Sequence, residues 1–150
     1  RRPPAAVETA SRNQIASRFM TETSRTDEST TLADLRRLVE QFVAARDWHR
    51  FHTPKNLAMA LAIEAAELME HFQWLTPEQS RQVPDRPDRR DAVAEELADV
   101  LCYALAMANE LGIDVAAAVF QKMKKNAAKY PVEKYQGYFG PDDPALSADR

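Results

Sequence analysis

The chain has 150 residues, of which 45% are hydrophobic and 29% are charged, and its formal net charge is -3. This length suits one domain rather than two, and the near balance of charge does not indicate the broad basic surface that nucleic-acid partners require. The single cysteine, Cys102, excludes an internal disulfide and a thiolate metal cluster, and we expect it to be a small buried residue on a helix.

The two ends of the chain differ in composition from its middle. Residues 1–30 and 139–150 are polar, so we expect a disordered N-terminal arm and a flexible C-terminal tail around one folded domain, residues 31–138. Acidic residues in the arm argue against an organelle-targeting segment, and no apolar run approaches the roughly 18 residues of a membrane helix. Neither nucleic acid nor a membrane is therefore an expected partner, and the cytoplasm is the default compartment.

Hydrophobic spacing and capping residues predict four helices in chain order. The first begins at a cap formed by Thr31 and runs to about Arg46. The second has Thr53 as its N-cap and Pro54 in its first turn, and it is predicted to end near Trp74.

The third predicted helix follows a proline-rich connection that allows only a short helical turn. It begins near Asp88 and ends at Leu111, where Gly112 suits the left-handed position that terminates a helix. Asp114 caps the fourth helix, which Pro131 stops. Since no segment shows the alternation typical of a strand, the chain is predicted to be all-α, a four-helix bundle of antiparallel hairpins.

The third helix has apolar residues on more than one side. Its predicted core stripe consists of Val93, Leu97, Val100, Ala104 and Leu111. Beside that stripe lie three more apolar residues, Leu101, Leu105 and Ala108. This second apolar side predicts a homo-oligomer, with a dimer as the minimum.

Carboxylates recur at a spacing of three residues on the second and third helices. Glu64 and Glu67 share one side of the second helix, and Glu96 and Asp99 share one side of the third. Glu64 falls within the apolar stripe of its helix, where an uncompensated charge would cost several kcal/mol. Ordinary solvation, the usual fate of a helical carboxylate, therefore explains Glu64 poorly.

A short connection favours packing of these two helices as neighbours, so the four carboxylates should converge and need a cation. All-oxygen ligation suits Mg²⁺, with Mn²⁺ as an alternative. A di-iron centre is not favoured, because none of the three histidines lies three residues after a glutamate. The neighbouring Glu70 and Glu95 fit ordinary solvated charges.

These motifs resemble those of the MazG-like superfamily of all-α nucleoside triphosphate pyrophosphohydrolases, whose pattern is E-x-x-E on one helix and E-x-x-D on the next. The match is EAAE with ELAD, and it is most similar to the dCTP pyrophosphatase branch through RDWHRFHTPKN, EHFQW, EELADVLCYAL and KYPVEKYQG. The resemblance implies Mg-dependent hydrolysis of dCTP or a modified dCTP between the α and β phosphates. It also implies a role in nucleotide-pool sanitation and assembly as a tetramer.

The resemblance further implies roles for particular side chains. The catalytic metal ligands would be Glu64, Glu67, Glu96 and Asp99. Our own mechanistic hypothesis adds that one of these carboxylates, for example Glu67, orients or deprotonates the attacking water, and the sequence does not choose among them. The pocket for the base would be formed by Trp48, His52, Trp74 and Tyr103. From the residues alone, each tryptophan is equally compatible with a core anchor at a helix end, whereas Tyr103 lies one turn beyond Asp99 on the same side.

The fourth helix carries polar residues that would suit a triphosphate. Lys122, Asn126 and Lys129 recur at helical spacing on one side, and the resemblance assigns phosphate or sugar contacts to this region. Tyr130 would help to close it. A solvated lysine face is the common alternative for this stretch, and for Lys129 the two interpretations are equally compatible.

Two other functions stay open at this point. A related pyrophosphohydrolase could act on dUTP or phosphoribosyl-ATP, which only kinetics across substrates would separate. A non-catalytic helical oligomer could use the same carboxylates to bind a structural cation or a basic partner, and metal-dependent turnover would discriminate against it.

Overall fold

The structure, a computed structural model, describes residues 25–137. The expectations for the N-terminal arm and the C-terminal tail lie outside these residues, apart from residues 25–30, which include a turn closed by a hydrogen bond from Ser29 N to Thr26 O. All regular structure in the described part is helical and contains no strand, as the sequence predicts. The chain divides after Gly112 into two compact units.

The first helix, α1, spans Leu32–Ala45 and begins at the predicted cap. The Thr31 hydroxyl oxygen accepts a hydrogen bond from Asp34 N at 3.2 Å, and Thr31 N donates to the Asp34 carboxylate at 3.0 Å. The Thr31 hydroxyl also donates to the Asp34 carboxylate at 2.6 Å, and this bond, followed by the one from Thr31 N, holds the pKa of Asp34 below its ordinary value. Such reciprocal caps typically stabilise a helix by about 1 kcal/mol.

The second helix, α2, spans Pro54–Glu70, with Thr53 as N-cap and the proline in its first turn. It ends earlier than the predicted limit near Trp74. Beyond Glu70, Phe72 N donates to Met69 O and Leu75 N donates to Phe72 O, at 3.0 and 2.9 Å. Bonds across three residues tighten the backbone, so the apolar pattern continues through turns rather than through α-helix.

Two short elements connect α2 to the long helix. These are α3, Pro77–Ser80, which has a capping box at Thr76, and a 3₁₀ turn, Val83–Asp85. The long helix, α4, spans Pro87–Glu110. Gly112 follows it with a φ of 61°, the left-handed conformation predicted for this glycine.

The first unit is built around α4, which packs against α2 and α1. The residues buried there are Val43, Leu57, Val83, Leu105, Ala106 and Ala108. Part of the predicted stripe on α4 is therefore wrong, since Leu97 and Leu111 are 47% and 51% exposed, whereas Leu105 and Ala108 are buried within the chain. The physical reason is that α1 covers the C-terminal half of α4 on the side that was assigned to a second copy.

A polar lock joins α1 to the end of α4. Arg36 Nε donates to Asn109 Oδ1 at 2.8 Å, and Asn109 Nδ2 donates back to Arg36 O at 2.9 Å. Arg36 Nη2 also donates to Ala108 O at 3.3 Å. These partly buried bonds fix the rotation of α1 about its axis relative to α4.

The second unit contains α5, Val115–Lys129, and α6, Val132–Tyr135. Asp114 caps α5 by accepting a bond from Ala117 N at 2.9 Å, and α5 ends before Pro131, both as predicted. The short α6 was not predicted. Within the described residues, no helix alone is long and apolar enough to cross a membrane. Taken together, the helices Pro87–Glu110 and Val115–Lys129 reach the required length and apolar composition, and this is a statement about length and composition only.

Candidate functional site

Three of the predicted carboxylates come together where α2 packs against α4. One oxygen from each of Glu64, Glu96 and Asp99 lies within 4.8 Å of the others. Glu64 and Glu96 are half-buried and Asp99 is exposed. Because α2 and α4 are packed neighbours, the spacing of three residues on α4 turns both of its carboxylates toward the one from α2.

The electrostatics of this group are unfavourable for bare carboxylates. Burial raises the pKa of Glu64, and the negative charges of Glu67, Asp99 and Glu96 raise it further. Burial also raises the pKa of Tyr103, followed by the charges of Glu64 and Asp99. A cation among these oxygens would offset both the burial and the repulsion.

Glu67, the fourth predicted ligand, is exposed and is not one of the three clustered carboxylates. Its charge still reaches Glu64, one turn earlier on α2. The structure therefore brings three of the four together and leaves Glu67 at the edge of the group. Glu70 and Glu95 are exposed, which agrees with ordinary solvation.

Two neighbours on α4 flank the carboxylates. Tyr103 is half-buried one turn after Asp99. Cys102 is exposed, so the expectation of a buried residue was wrong. It lies beside the exposed Leu101, on a side that α1 and α2 leave uncovered. Partial burial of its thiol, and then the charge of Asp99, nevertheless raise the pKa of Cys102.

Trp48 and His52 lie in the connection between α1 and α2. Their ring centroids are 6.4 Å apart, and the Trp48 ring also meets Phe42 edge to face at 5.8 Å. His52 borders a cavity of about 320 Å³, lined by Val39, Glu40, Val43, His49, His52, Ala106, Asn109 and Glu110. His49 Nε2 lies 3.1 Å from Glu40 Oε1 in its wall. The sequence analysis did not select Glu40 or His49, although His49 lies in the motif RDWHRFHTPKN, because no local pattern pairs these two residues.

Trp74 lies beyond the other end of α2 and is 86% exposed. It borders a second cavity of about 270 Å³, lined by Glu70, His71, Trp74, Leu75, Val83, Arg89 and Val93. The 17 residues of α2 separate the two tryptophans along the chain, a helix length of roughly 25 Å. Trp48 and Trp74 therefore lie beyond opposite ends of α2.

The remaining predicted residues belong to the second unit. Lys122 is exposed and Asn126 is half-buried on the same side of α5. The Lys129 ammonium lies 5.0 Å from the centre of the Tyr130 ring, and hydrogen bonding to Tyr130 raises the pKa of Lys129. Tyr130 also meets Tyr135 of α6 edge to face at 5.2 Å, a contact that the sequence did not indicate.

Comparison with known proteins agrees with this helical arrangement. The model of the MazG-like family matches residues 59–138, which include every carboxylate of the group. The chain belongs to the MazG-like family. The sequence motifs suggested the dCTP pyrophosphatase branch of this family, and the curated relatives that the chain matches carry that name.

Two relatives and one solved structure illustrate the similarity. The chain is 44% identical over 107 residues to dCTP pyrophosphatase 1 of Rattus norvegicus, and 46% identical over 101 residues to that of Homo sapiens. These matches cover 71% and 67% of this chain but span only 63% and 59% of the relatives' lengths. The crystal structure of a pyrophosphatase from Archaeoglobus fulgidus superposes with a TM-score of 0.63 at 38% identity, covering 73% of this chain and 99% of that one.

Proposed function

We propose that the protein hydrolyses a deoxynucleoside triphosphate to the monophosphate and pyrophosphate, with dCTP or a modified dCTP as the preferred substrate. The observation that carries this proposal is the convergence of Glu64, Glu96 and Asp99 from two packed helices. The names of the curated MazG-like relatives support the choice of dCTP. Removal of such nucleotides from the cellular pool is the corresponding biological role.

The clustered carboxylates fit a hard divalent cation. Their donor atoms are all oxygens within 4.8 Å of one another, which suits Mg²⁺ or Mn²⁺. Glu64, Glu96 and Asp99 would hold the ion, whereas the exposed Glu67 would act on the water rather than as a ligand. When bound, the ion supplies charge neutralisation at the phosphates and Lewis-acid activation of water.

The chain's own side chains then position and deprotonate the water. Glu67 is exposed beside the cluster, so its carboxylate is available to accept a proton from the attacking water. The water oxygen attacks the α phosphorus, the bond to the bridging oxygen breaks, and pyrophosphate leaves. The ammonium of Lys122, with Asn126 and Lys129 from the same side of α5, would offset charge on the phosphates.

The base would bind between aromatic side chains contributed by two copies of the chain. Trp48 and Trp74 flank opposite ends of α2, so one copy supplies Trp48 and His52 while another supplies Trp74 to the same site. Tyr103, one turn from Asp99, would lie between the base and the phosphates, and Tyr130 would help to close the site. Aromatic stacking of this kind is typically worth about 1–3 kcal/mol per base.

Exposed apolar side chains support the assembly that this site needs. Met59 and Ile63 recur one turn apart on α2, and Leu97 and Leu101 recur one turn apart on α4. All four are exposed. Among the described residues, the first unit buries only six hydrophobic residues, so these apolar side chains have no cover within it. We propose that these two stripes form the core of a homodimer and that two dimers form a tetramer.

The experiment is pyrophosphate release from dCTP, dUTP, dTTP, dATP and CTP with Mg²⁺, each with an EDTA control. Selective metal-dependent turnover of dCTP is the expected result. Preference for dUTP would replace the proposed substrate while retaining the carboxylate chemistry. No turnover of any nucleotide would overturn the proposal in favour of a structural cation site.

A further inference from the structure

The turn that follows α1 contains an unusual backbone conformation. Asp47 has a φ of 55°, and among the described residues it is the one non-glycine residue with a positive φ. A left-handed conformation places the Cβ of an ordinary residue close to the backbone, and glycine is the usual occupant after a helix. Aspartate tolerates this region better than most residues with a side chain.

Hydrogen bonds define what this conformation does. Asp47 N donates to Ala44 O and Trp48 N donates to Val43 O, both at 3.1 Å. This pair of bonds is the Schellman motif, in which the residue after the left-handed one folds back against the last turn of the helix. That residue is Trp48.

The side-chain contacts of Trp48 follow from this reversal. Its ring packs edge to face on Phe42 at 5.8 Å, and the Arg46 guanidinium lies 3.5 Å from the centre of the Phe42 ring. Trp48 O in turn accepts bonds from Phe51 N at 2.8 Å and His52 N at 3.2 Å. The direction of the chain at Asp47 therefore fixes both Trp48 and His52.

We propose that Asp47 is a positioning residue for nucleotide binding. Its left-handed backbone holds Trp48 and His52 in the orientation that receives the base. This role rests on the proposed function, since Trp48 and His52 belong to its base pocket. It assigns a task to an exposed residue outside the carboxylate group.

The test is a graded series of substitutions at Asp47. Glycine and asparagine accept a positive φ, whereas alanine accepts it less readily and valine least. We expect Asp47→Gly and Asp47→Asn to keep the KM for dCTP within about 2-fold, and Asp47→Val to raise it roughly 10-fold with little change in kcat. Asp47→Ala, a milder change that preserves folding, should fall between them. Gln41→Val, at an exposed position of α1, is the matched control and should leave KM unchanged.

A second readout is independent of catalysis. In a Trp74→Phe background, Trp48 is the one remaining tryptophan of the chain. Acrylamide should quench its fluorescence more strongly after Asp47→Ala or Asp47→Val than after Asp47→Gly. If this order of quenching is found in a protein that hydrolyses no nucleotide, the proposed function is refuted. The effect of the Asp47 backbone on the position of Trp48 would then still stand. An unchanged KM with Asp47→Val, or an equal rise with Gln41→Val, would overturn the inference.

Discussion

Glu64 is half-buried in α2 with acidic side chains around it. Its position in an apolar stripe predicted an unusual carboxylate, and the structure supplies the physical cause in burial and in the charges of Glu67, Asp99 and Glu96. Spacing on a helix was sufficient to select these residues because side chains three positions apart, about one turn, share a side of the helix. It was not sufficient to separate Glu67 from the other three, since that depends on the distance to α4.

Removing the charge at Glu64 should stabilise the metal-free protein. The folded-state pKa of Glu64 is raised, so the stability contributed by its protonated form is present below the unfolded pKa and is lost as pH rises through the folded one. In EDTA at pH 7, Glu64→Gln should therefore raise Tm by about 2–4 °C, with a smaller gain at pH 4. Thermal unfolding at both pH values measures this, with Glu95→Gln as control. An equal gain at the two pH values would contradict the account.

Glu67 should matter for rate more than for metal binding. If its carboxylate takes the proton of the attacking water, Glu67→Gln should lower kcat by about 100-fold or more. Stabilisation of the protein by Mg²⁺ should persist in this variant and disappear in Glu64→Gln. Steady-state kinetics and thermal unfolding with and without Mg²⁺ distinguish the two roles. A Glu67→Gln variant with full activity would remove Glu67 from the mechanism.

At the level of the elements, capping residues and packing contacts differ in how far they follow from sequence. Thr31, Thr53 and Asp114 cap helices as predicted because a cap depends on residues three positions away. The end of α2 and the buried side of α4 were predicted less well. Which side of a long helix is covered depends on distant segments, here α1, whose contact with α4 joins residues 36 and 109.

The lock between Arg36 and Asn109 should contribute measurably to stability. Asn109→Ala would leave a partly buried Arg36 Nε and carbonyl oxygen without these bonds, which typically costs about 1–3 kcal/mol. Urea unfolding compares this variant with Glu95→Ala, an exposed position on the same helix. Equal unfolding free energies for the two variants would show that the lock contributes nothing net.

For the whole molecule, the sequence correctly predicted that the regular structure of residues 25–137 is all helical, and its motifs indicated the MazG-like family that the comparisons show. The proposed base pocket could not be predicted in the same way, because it combines tryptophans from opposite ends of α2. No pattern within one chain specifies how two copies align. The exposed stripes on α2 and α4 are the physical feature from which that alignment is inferred.

A charge introduced into these stripes should weaken assembly. Ile63→Glu or Leu101→Glu would place a carboxylate in the proposed apolar interface, at a cost of several kcal/mol. Sedimentation velocity should show a shift toward monomer, together with loss of dCTP hydrolysis. Arg90→Glu, an exposed charged position on α4, should do neither. A wild-type chain that sediments only as a monomer would exclude a shared site.

The most direct measurement for the central claim is the hydrolysis of dCTP in ¹⁸O-labelled water with Mg²⁺, followed by mass analysis of both products. Attack on the α phosphorus predicts equal amounts of dCMP and pyrophosphate, with the label in dCMP, and no reaction in EDTA or with Glu64→Gln. Label in the pyrophosphate, release of orthophosphate, or full turnover by the Glu64→Gln variant would contradict the account.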